Sequence, residues 1–375
     1  MSKFQNIFNG RGYLIMTEKE IKIGIVGYGH RGSSMLKMAT QGFEGVKAIA
    51  ICDKNPDLLN KAKKDYPEVR LFTDFNLMLD RISIDALLVE TPATHHAKFC
   101  SKALRKNIYV MSDVPTVDNV DEANDLWEAQ QNSKSFYMLG ANPNMWGFVQ
   151  AFVDLKEKGL LGEAYYIEAE YIHDGRYLFN KTPWRITYET IKYCTHSLGP
   201  VLRLIEEDLE WVSCFDTGSH INRKQGQHDA MAALFRTKSN IVIRLLISCI
   251  NNCPIGHHCY RIYGTKGYFE RTPPYFGPGS AKALFYSTKL YCDKKAIELP
   301  IAEIRPEYAK KNPNAVSHGG ADYVLLDRFF NAIRKGLPSP INLRESLRMS
   351  LPGVYAAESA RRGGELIKIE YPWSK

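Results

Sequence analysis

Short apolar runs alternate with amphipathic stretches along the first 140 residues of the chain. Five runs have the length and composition of buried strands, and they read IKIGIV, KAIAIC, IDALLVE, NIYVM and SFYMLG. Between these runs, apolar positions recur with helical spacing near residues 32–41, 56–65, 74–81, 95–106 and 117–132. Strands and helices that alternate in this way predict an α/β fold, a doubly wound parallel sheet with crossover helices on its faces.

The pattern changes after this first part of the chain. A helix predicted near residues 145–159 leads into longer segments, EAYYIEAEYIH, DAMAALFRTKSNIVIRLLISC, CYRIYGTKGYFE and ALFYSTKLYC, in which apolar and polar residues alternate. Such alternation predicts a large open, mostly antiparallel sheet with one polar face. Two further helical patterns follow, ADYVLLDRFFNAIRKG and LRESLRMSLPGVYAAESARR. We therefore predict an α+β domain over residues 143–375, which we expect to hold the substrate.

The turn between the first strand and the first helix reads GIVGYGHRG. Gly27, Gly29 and Gly32 form a G-x-G-x-x-G motif there. In this motif the first glycine permits the tight turn, the second lets a pyrophosphate approach the backbone, and the third lets helix and strand pack closely. Asp53 ends the second strand 21 residues after Gly32, where a carboxylate accepts the ribose hydroxyls. Together these features predict a Rossmann domain that binds NAD; a plain glycine-rich turn is the alternative.

The residue after the second strand also bears on the choice of cofactor. Asp53 favours NAD because its carboxylate would repel a 2′-phosphate, although Lys54 beside it leaves NADP as the less favoured alternative. We predict that the NAD-binding Rossmann domain spans residues 18–142. Residues 1–17 are predicted to form a flexible extension, with Met16 as an alternative first residue.

A second patch that points to the cofactor is VETPATHH. Thr91 and Pro92 follow a strand and are expected to bring backbone close to the cofactor, while His95 and His96 open the next helix. Both histidines could instead cap that helix, which is the interpretation we prefer for His95. The full set of predicted cofactor-binding residues is Gly27, Gly29, His30, Arg31, Gly32, Asp53, Thr91, Pro92, His96 and Asp113.

Composition indicates a soluble protein of two domains. The chain has 375 residues, which is too long for one ordinary core. Of these residues, 45% are hydrophobic and 24% are charged. It shows neither an apolar window long enough for a membrane span nor a convincing signal peptide. The net charge of +8 comes from basic residues interspersed with acidic ones, so we expect neither nucleic acid nor membrane as a partner. Eight cysteines, mostly within apolar runs, are typical of a reducing compartment and predict a cytoplasmic location.

Several of these motifs together resemble a known family. GIVGYGHRG, the acid after the second strand, TPATHH and YGTKGYFE are similar to motifs of the Gfo/Idh/MocA oxidoreductases, and the resemblance covers nearly the whole chain after residue 20. That family pairs a nucleotide-binding domain with an open-sheet domain and mostly oxidises hydroxyls of sugars or cyclitols. Three stretches, EYIHDGR (170–176), YCTHSLGP (193–200) and SHGGADY (317–323), resemble segments of its glycosidase branch, the NAD-dependent α-N-acetylgalactosaminidases. The resemblance implies action on a ring hydroxyl of a carbohydrate and a homo-oligomer, as in many relatives.

One departure from the family pattern keeps three functions open. The dehydrogenases usually carry Glu-Lys-Pro after the fifth strand, with the lysine as acid and base, whereas this chain has Asp113-Val114-Pro115. A valine cannot carry a proton, and the glycosidase branch also lacks the lysine. The chain could be a dehydrogenase, or a redox-neutral glycoside hydrolase that works by oxidation, elimination, hydration and re-reduction. It could also be a dinucleotide-binding protein without catalysis.

Without the lysine, another group must take the proton of the substrate hydroxyl as the hydride leaves. His196 in YCTHSLGP is the leading candidate. Gly199-Pro200 is typical of the first turn of a helix, which would place His196 at or just before the positive end of the helix dipole. The field there disfavours imidazolium, so we expect a neutral ring that can act as a base. The alternative is a histidine that caps or packs at a helix start.

The elimination step of the hydrolase would need a second base, and the resemblance places it near Tyr171. His173 lies two residues further on the same strand and therefore on the same face. A tyrosine base requires a pKa lowered by neighbouring positive charge, which Arg176, Arg185 or His173 could supply. Ordinary packing of two strand residues is the alternative, and Tyr193 is a weaker candidate for the same step.

Other residues are expected to contact the carbohydrate. Trp184 could pack its indole against a sugar ring, although a place in the core is the alternative. His318 precedes a helix that Asp322 could begin, and we expect it to bond substrate hydroxyls, since the two glycines after it let backbone approach a ligand. The predicted substrate-binding residues are Arg176, Trp184, Arg185, Tyr193 and His318.

A cysteine- and histidine-rich stretch offers potential metal ligands. It contains Cys249, Cys253, His257, His258 and Cys259. Their spacing differs from that of paired C-x-x-C zinc knuckles, and consecutive residues of a strand would point to opposite faces of the sheet. The sequence therefore predicts no bound metal.

Overall fold

The structure, a computed structural model, describes residues 7–8, 14–15, 19–274, 276–277, 280–290, 295–301 and 317–374. Two short strands near the amino terminus, β1 (Ile7–Phe8) and β2 (Leu14–Ile15), pair in antiparallel fashion. The rest of the extension predicted over residues 1–17 lies outside the described residues. The other described strands form one sheet of six strands and one of nine.

The six-stranded sheet is parallel throughout, with the order β5-β4-β3-β6-β7-β8. Its strands are β3 (Ile21–Val26), β4 (Val46–Cys52), β5 (Arg70–Phe72), β6 (Ala86–Val89), β7 (Tyr109–Ser112) and β8 (Tyr137–Leu139). The helices between them are α1 (His30–Gly42), α2 (Pro56–Asp65), α3 (Phe75–Arg81), α4 (His96–Arg105) and α5 (Val120–Gln131). The strand order reverses between β3 and β6, and ligands of doubly wound sheets bind in the crevice at such a point. The predicted fold class is thus confirmed.

The helices of this domain differ at their amino termini. Asn55, Asp74 and Asn119 cap α2, α3 and α5, each accepting a hydrogen bond from a backbone N–H of the first turn. The helix α1 follows Gly29 and has no side-chain cap. Its first N–H groups therefore remain available to a phosphate, at the end of the helix where the dipole favours negative charge.

The nine-stranded sheet has the order β16-β15-β14-β13-β9-β12-β11-β10-β17 and is antiparallel except where β12 pairs with β9. Its strands are β9 (Ala164–Ile172), β10 (Leu209–Asp216), β11 (Ala230–Thr237), β12 (Val242–Ser248), β13 (His257–Gly264), β14 (Gly267–Arg271), β15 (Ala283–Ser287), β16 (Ile297–Leu299) and β17 (Ile367–Lys368). Strand β11 shows the predicted alternation, since Met231 and Phe235 are buried and Leu234 between them is exposed. One face of the sheet therefore packs on the core and the other is open.

Within the part of the chain that the structure describes, four helices accompany this sheet: α6 (Gly147–Glu157), α7 (Thr195–Leu202), α8 (Ala321–Lys335) and α9 (Leu343–Arg361). The last two also contact the Rossmann half of the chain. The ring of Tyr323 on α8 stacks on Phe43 at 4.7 Å, and the hydroxyl of Ser350 on α9 donates to the Thr116 hydroxyl at 3.0 Å. The boundary at residue 142 stays a prediction, because these helices join both halves in one core. Among the described residues, no helix is both long and apolar enough to cross a membrane.

Candidate active site

The three glycines of the first turn are required for different reasons. Gly27 has φ +92°, and a Cβ at that position would lie 2.5 Å from the carbonyl oxygen of Glu90. A Cβ at Gly32 would lie 2.0 Å from the carbonyl oxygen of Gly27, so the helix could not sit as close to the strand. A Cβ at Gly29 would meet nothing within 4 Å. The protein's own packing does not require a glycine at this position, so its bare backbone fits a ligand that approaches the turn.

This difference predicts opposite effects of two alanine substitutions. Gly29→Ala should leave thermal stability unchanged but weaken NAD binding by about tenfold or more, because the methyl group takes space that the pyrophosphate needs. Gly32→Ala, the matched variant in the same turn, should lower the melting temperature, since its methyl group collides with backbone. Calorimetric NAD titration and thermal melts of both variants check this. Unchanged NAD affinity in Gly29→Ala would contradict the assigned binding mode.

The acid predicted to contact the ribose lies where the motif requires it. Asp53 follows β4, and its two carboxylate oxygens accept hydrogen bonds from the backbone N–H of Tyr28 (2.7 Å) and of Asn55 (2.8 Å). The carboxylate thus joins the glycine turn to the start of α2. His30 is exposed at the first position of α1, beside the uncapped helix end.

The loops after β6 and β7 are held together by a histidine. His96 is 1% exposed, and its ring nitrogens lie 2.7 Å from the carbonyl oxygen of Thr91 and 2.8 Å from that of Pro115. Pro92, next to Thr91, is exposed at the edge of the crevice. Because both nitrogens of His96 are already engaged, the geometry supports a role in positioning these loops around the cofactor.

A partly buried cluster of ionisable side chains connects the glycine turn to the second domain. The guanidinium of Arg31 donates to both carboxylate oxygens of Asp322 (2.5 and 3.0 Å), and its Nε lies 3.6 Å from carboxylate oxygens of Glu90 and Asp113. Although burial opposes the charge of Asp322, hydrogen bonds from His318 and Arg31 hold the pKa of this carboxyl well below its ordinary value. Arg31, predicted to contact the cofactor, therefore also fixes α8 against the Rossmann domain.

Glu90 is a buried acid that sequence reasoning missed. Its side chain is 1% exposed, and its Oε2 has no hydrogen-bond partner among the described residues. Burial, reinforced by Asp113, raises the pKa of Glu90 well above its ordinary value despite the nearby Arg31. A buried carboxyl group with a raised pKa thus lies directly behind the glycine turn. Its position at the end of the apolar run IDALLVE was the available signal.

His196 lies in the first turn of its helix, as expected, but the helix starts earlier than predicted. The helix α7 begins at Thr195 and includes Pro200, so the prediction that Gly199-Pro200 forms its first turn is wrong. Proline has no N–H to donate to the carbonyl four residues before it, which is that of His196. The hydroxyl of Tyr260 donates to this carbonyl instead, at 2.8 Å. The early proline is thereby accommodated, and the backbone of His196 is fixed to β13.

The ring of His196 is neutral and has a free nitrogen. Burial lowers its pKa to about 3, and the negative charge of Asp113 only partly opposes this. The Nδ1 atom is buried and has no hydrogen-bond partner among the described residues. The ring lies edge-on to Tyr193 at 5.0 Å and to Tyr171 at 5.6 Å. Burial is thus the largest of the effects that keep the imidazole unprotonated.

Tyr171 is at the centre of an aromatic cluster. Its hydroxyl lies 3.2 Å from Nδ1 of His173, and its ring stacks on His258 at 4.5 Å and on Tyr193 at 6.1 Å. Burial, and next Tyr193, raise the pKa of Tyr171 well above its ordinary value, and the nearby Arg185 does not outweigh them. The expectation that neighbouring charge lowers this pKa is therefore wrong. His258, which the sequence offered only as a metal ligand, is a neighbour that sequence reasoning missed.

The predicted substrate-binding residues separate into two groups. The guanidinium carbon of Arg185 lies 4.4 Å from the ring centre of Trp184 and 5.3 Å from that of Tyr193, so these three side chains adjoin the aromatic cluster. Arg176 is instead paired with Asp174 at 2.7 Å and donates to the carbonyl of Asn251, at the end of the strand. Its guanidinium is thus engaged away from Tyr171 and does not supply the expected charge.

His318 approaches the site from the opposite side. Its backbone is in the left-handed region, with φ +48°, and its carbonyl accepts a hydrogen bond from the indole of Trp146 at 3.1 Å. The Nδ1 atom lies 2.8 Å from Asp322, whose carboxylate also binds Arg31. The ring is half exposed and therefore accessible to a ligand, and its binding of substrate hydroxyls stays a prediction.

The molecule joins a dinucleotide-binding Rossmann domain to a large open sheet. This combination is typical of a class of enzymes. The model of the Gfo/Idh/MocA oxidoreductase family, NAD-binding Rossmann fold, matches residues 21–141. This match covers the Rossmann domain, and it agrees with the resemblance of the motifs and with NAD as the cofactor. Gly29 and the uncapped end of α1 fit the cofactor's diphosphate.

Full-length relatives extend the likeness to the second domain. A glycosyl hydrolase family 109 protein from Saccharopolyspora erythraea is 26% identical, over 96% of this chain and 84% of that protein. A protein of the same description from Solibacter usitatus is also 26% identical, over 92% of this chain and 86% of that protein. These relatives agree with the glycosidase branch that the three carboxy-terminal motifs resemble.

A solved structure shows the same fold. Scyllo-inositol dehydrogenase from Lactobacillus casei, with bound NAD(H) and scyllo-inositol, superposes with a TM-score of 0.75 at 18% identity, over 93% of this chain and 99% of that chain. An oxidoreductase from Agrobacterium radiobacter in complex with NAD+, L-tartaric acid and magnesium gives a TM-score of 0.77 at 15% identity. The match covers 93% of this chain and 98% of that chain. At these identities the likeness shows that both domains share the fold.

Proposed function

We propose that this protein is an NAD-dependent enzyme that oxidises a ring hydroxyl of a sugar or sugar derivative. The observation that carries the proposal is the neutral His196 with its free Nδ1, placed in an aromatic cluster of a family member that lacks the usual lysine. The named activities of the relatives, glycoside hydrolysis and oxidation of an inositol, support a carbohydrate as substrate. Rings such as Trp184 and Tyr193 suit the apolar faces of a sugar.

In this proposal His196 accepts the proton of the substrate hydroxyl. NAD, when bound, supplies the hydride acceptor. The ring is unprotonated and its nitrogen is free, although a pKa of about 3 makes it a weaker base than an ordinary imidazole. Asp113 is the neighbouring charge that favours the imidazolium formed by proton transfer. Dehydrogenases of the family carry Glu-Lys-Pro at the position of Asp113-Val114-Pro115. In this chain Asp113 would thus assist the base, His196, and would not itself be the base.

A second candidate function is redox-neutral glycoside hydrolysis, favoured by the relatives' names and by the contact between Tyr171 and His173. Oxidation at carbon 3 would make the proton on carbon 2 acidic, and its removal would expel the group on carbon 1. Tyr171 holds its own proton, since its pKa is raised. It could accept the carbon 2 proton while its hydroxyl proton passes to His173, whose pKa is lowered by burial and so leaves its ring neutral. Water addition and return of the hydride would complete the cycle.

One incubation with NAD separates these functions. Free sugars and cyclitols that generate NADH in stoichiometric amounts support the dehydrogenase. Release of an aryl aglycone from a glycoside, without net NADH, supports the hydrolase. Bound NAD with neither activity over a broad panel would favour a binding protein without catalysis and would overturn the proposal.

The choice of cofactor, the assembly and the location are proposed on separate grounds. Asp53 supports NAD over NADP, because a 2′-phosphate would lie near its carboxylate. The exposed Leu234 and Phe215 on the open face of the nine-stranded sheet support a homo-oligomer formed through that face. The seven described cysteines are free thiols, which supports a reducing, cytoplasmic compartment. Size-exclusion chromatography with light scattering measures the assembly directly.

A further inference from the structure

Three potential metal ligands meet on the face of the nine-stranded sheet opposite to Tyr171. Cys259 on β13 is directly paired with Glu170 on β9, and His257 lies two residues before Cys259 on the same face of its strand. One ligand atom from each of these side chains lies within 4.8 Å of the other two. Tyr171 and His258, the intervening residues, point to the other face. The sequence expectation that consecutive residues of this strand point to opposite faces is therefore confirmed, and the spacing of two residues brings His257 and Cys259 to the same face.

Each of the three side chains has an atom available for coordination. His257 Nδ1 lies 3.1 Å from the carbonyl oxygen of Ile255, so an N–H at this position leaves Nε2 as an acceptor. Such a bond to a carbonyl is the usual outer support of a metal-binding histidine. One carboxylate oxygen of Glu170 binds Arg244 at 2.9 Å, while the other lies 4.0 Å from His257 Nε2. Cys259 is 5% exposed, and among the described residues its sulfur has no hydrogen-bond partner.

We propose that Glu170, His257 and Cys259 form a binding site for a zinc ion. A sulfur, an imidazole nitrogen and a carboxylate oxygen are the donors that zinc prefers, and three protein ligands leave one position for water. Zinc–ligand distances of about 2.0–2.3 Å place tetrahedral ligands roughly 3–4 Å apart, so the side chains must close by about 1 Å. Arg244 keeps its oxygen of Glu170, and the metal takes the other. The proposal does not depend on the proposed function.

The position of the site gives it a structural role. Strands β9 and β13 carry the proposed zinc ligands on one face and the stacked pair Tyr171 and His258 on the other. A metal bound to both strands would fix their spacing directly behind that pair. Zinc should therefore raise the melting temperature of the folded protein, because it binds the native arrangement and not the unfolded chain.

Metal titration of the full-length protein tests the proposal. After treatment with a chelator, the protein should bind one equivalent of Zn2+ in competition with a chromophoric chelator. Co2+ in its place should give thiolate-to-cobalt charge-transfer absorption in the near ultraviolet. Cys259→Ser should lose this absorption, and His257→Gln should weaken zinc binding by about 100-fold or more. Cys253→Ser is the matched control, since the sulfur of Cys253 contacts the carbonyl of Ile255 and is outside the cluster.

Several outcomes would overturn the site. These are an absence of stoichiometric zinc binding, equal zinc affinity in His257→Gln and the unaltered protein, or loss of the cobalt absorption in Cys253→Ser. Circular dichroism of the metal-free variants establishes that each is folded. If Cys259→Ser does not fold, Glu170→Gln and His257→Gln decide, because both replace partly exposed side chains.

Discussion

Replacing His196 with alanine should lower turnover by about 10²–10⁴-fold, the usual contribution of a positioned acid or base. NAD affinity should stay unchanged, because the glycine turn and Asp53 are on the Rossmann domain and do not contact this ring. The measurement is steady-state kinetics with the substrate found in the incubation described above, together with calorimetric NAD titration. His95→Ala is the matched control, since His95 is exposed at the start of another helix and outside the site.

The pH dependence gives a second test of the same residue. The pKa of His196 is lowered to about 3, so its neutral form persists as the pH falls from 8 to 5. We therefore expect no acid limb from this group in kcat/KM over that range. An acid limb near the ordinary pKa of histidine would contradict this expectation if it disappeared in a variant of His196. It would show that the pKa of His196 is close to its ordinary value during turnover. Full activity of His196→Ala would remove it from the mechanism altogether.

Local patterns predicted most of the fold because each depends on a few neighbouring residues. The apolar runs that became β3, β4 and β6 are buried on both faces, and the helices between them follow the spacing of apolar positions. The strand β5 was missed, since its three residues are too short for a recognisable period. The parallel pairing of β12 with β9 was also beyond prediction, because it joins segments more than 70 residues apart and no local signal records it.

The site was predictable where a backbone conformation or a missing group dictates the residue. The conformation of the first turn requires glycines at a fixed spacing. Because a valine replaces the usual lysine, another residue must be the base, and this predicted His196. The electrostatics was not predictable in the same way. Arg185 does act on Tyr171 with the expected sign, but burial acts in the opposite direction and is larger. Burial results from the packing of many segments, so the raised pKa of Tyr171 and of Glu90 could be recognised only in the folded chain.

Replacing Asp322 with asparagine should destabilise the protein by about 3–5 kcal/mol, the cost of removing one partner of a buried ion pair. Asp322 is fully buried and accepts hydrogen bonds from Arg31, His318 and Asn142. Asparagine removes the charge and leaves Arg31 with Asp113 and Glu90, whose nearest carboxylate oxygens lie 3.6 Å from its Nε. Urea-induced unfolding at pH 7 measures the difference. Asp125→Asn is the matched control: its pair with Arg105 is exposed, so the loss should stay within about 1 kcal/mol.

The pH dependence of this difference follows from the direction of the pKa shift. The pKa of Asp322 is lower in the folded chain than its ordinary value of 3.8, so its stabilising contribution is present at pH values above that value. It is lost only as the pH falls further, through the folded pKa. Stability curves of the two proteins should therefore run parallel from pH 8 to pH 5 and converge only in stronger acid. Convergence near neutral pH would show that Asp322 is not a buried carboxylate paired with Arg31.

Because Asp322 also orients His318 and holds α8 on the Rossmann domain, its loss should lower turnover as well, whereas Asp125→Asn should retain full activity.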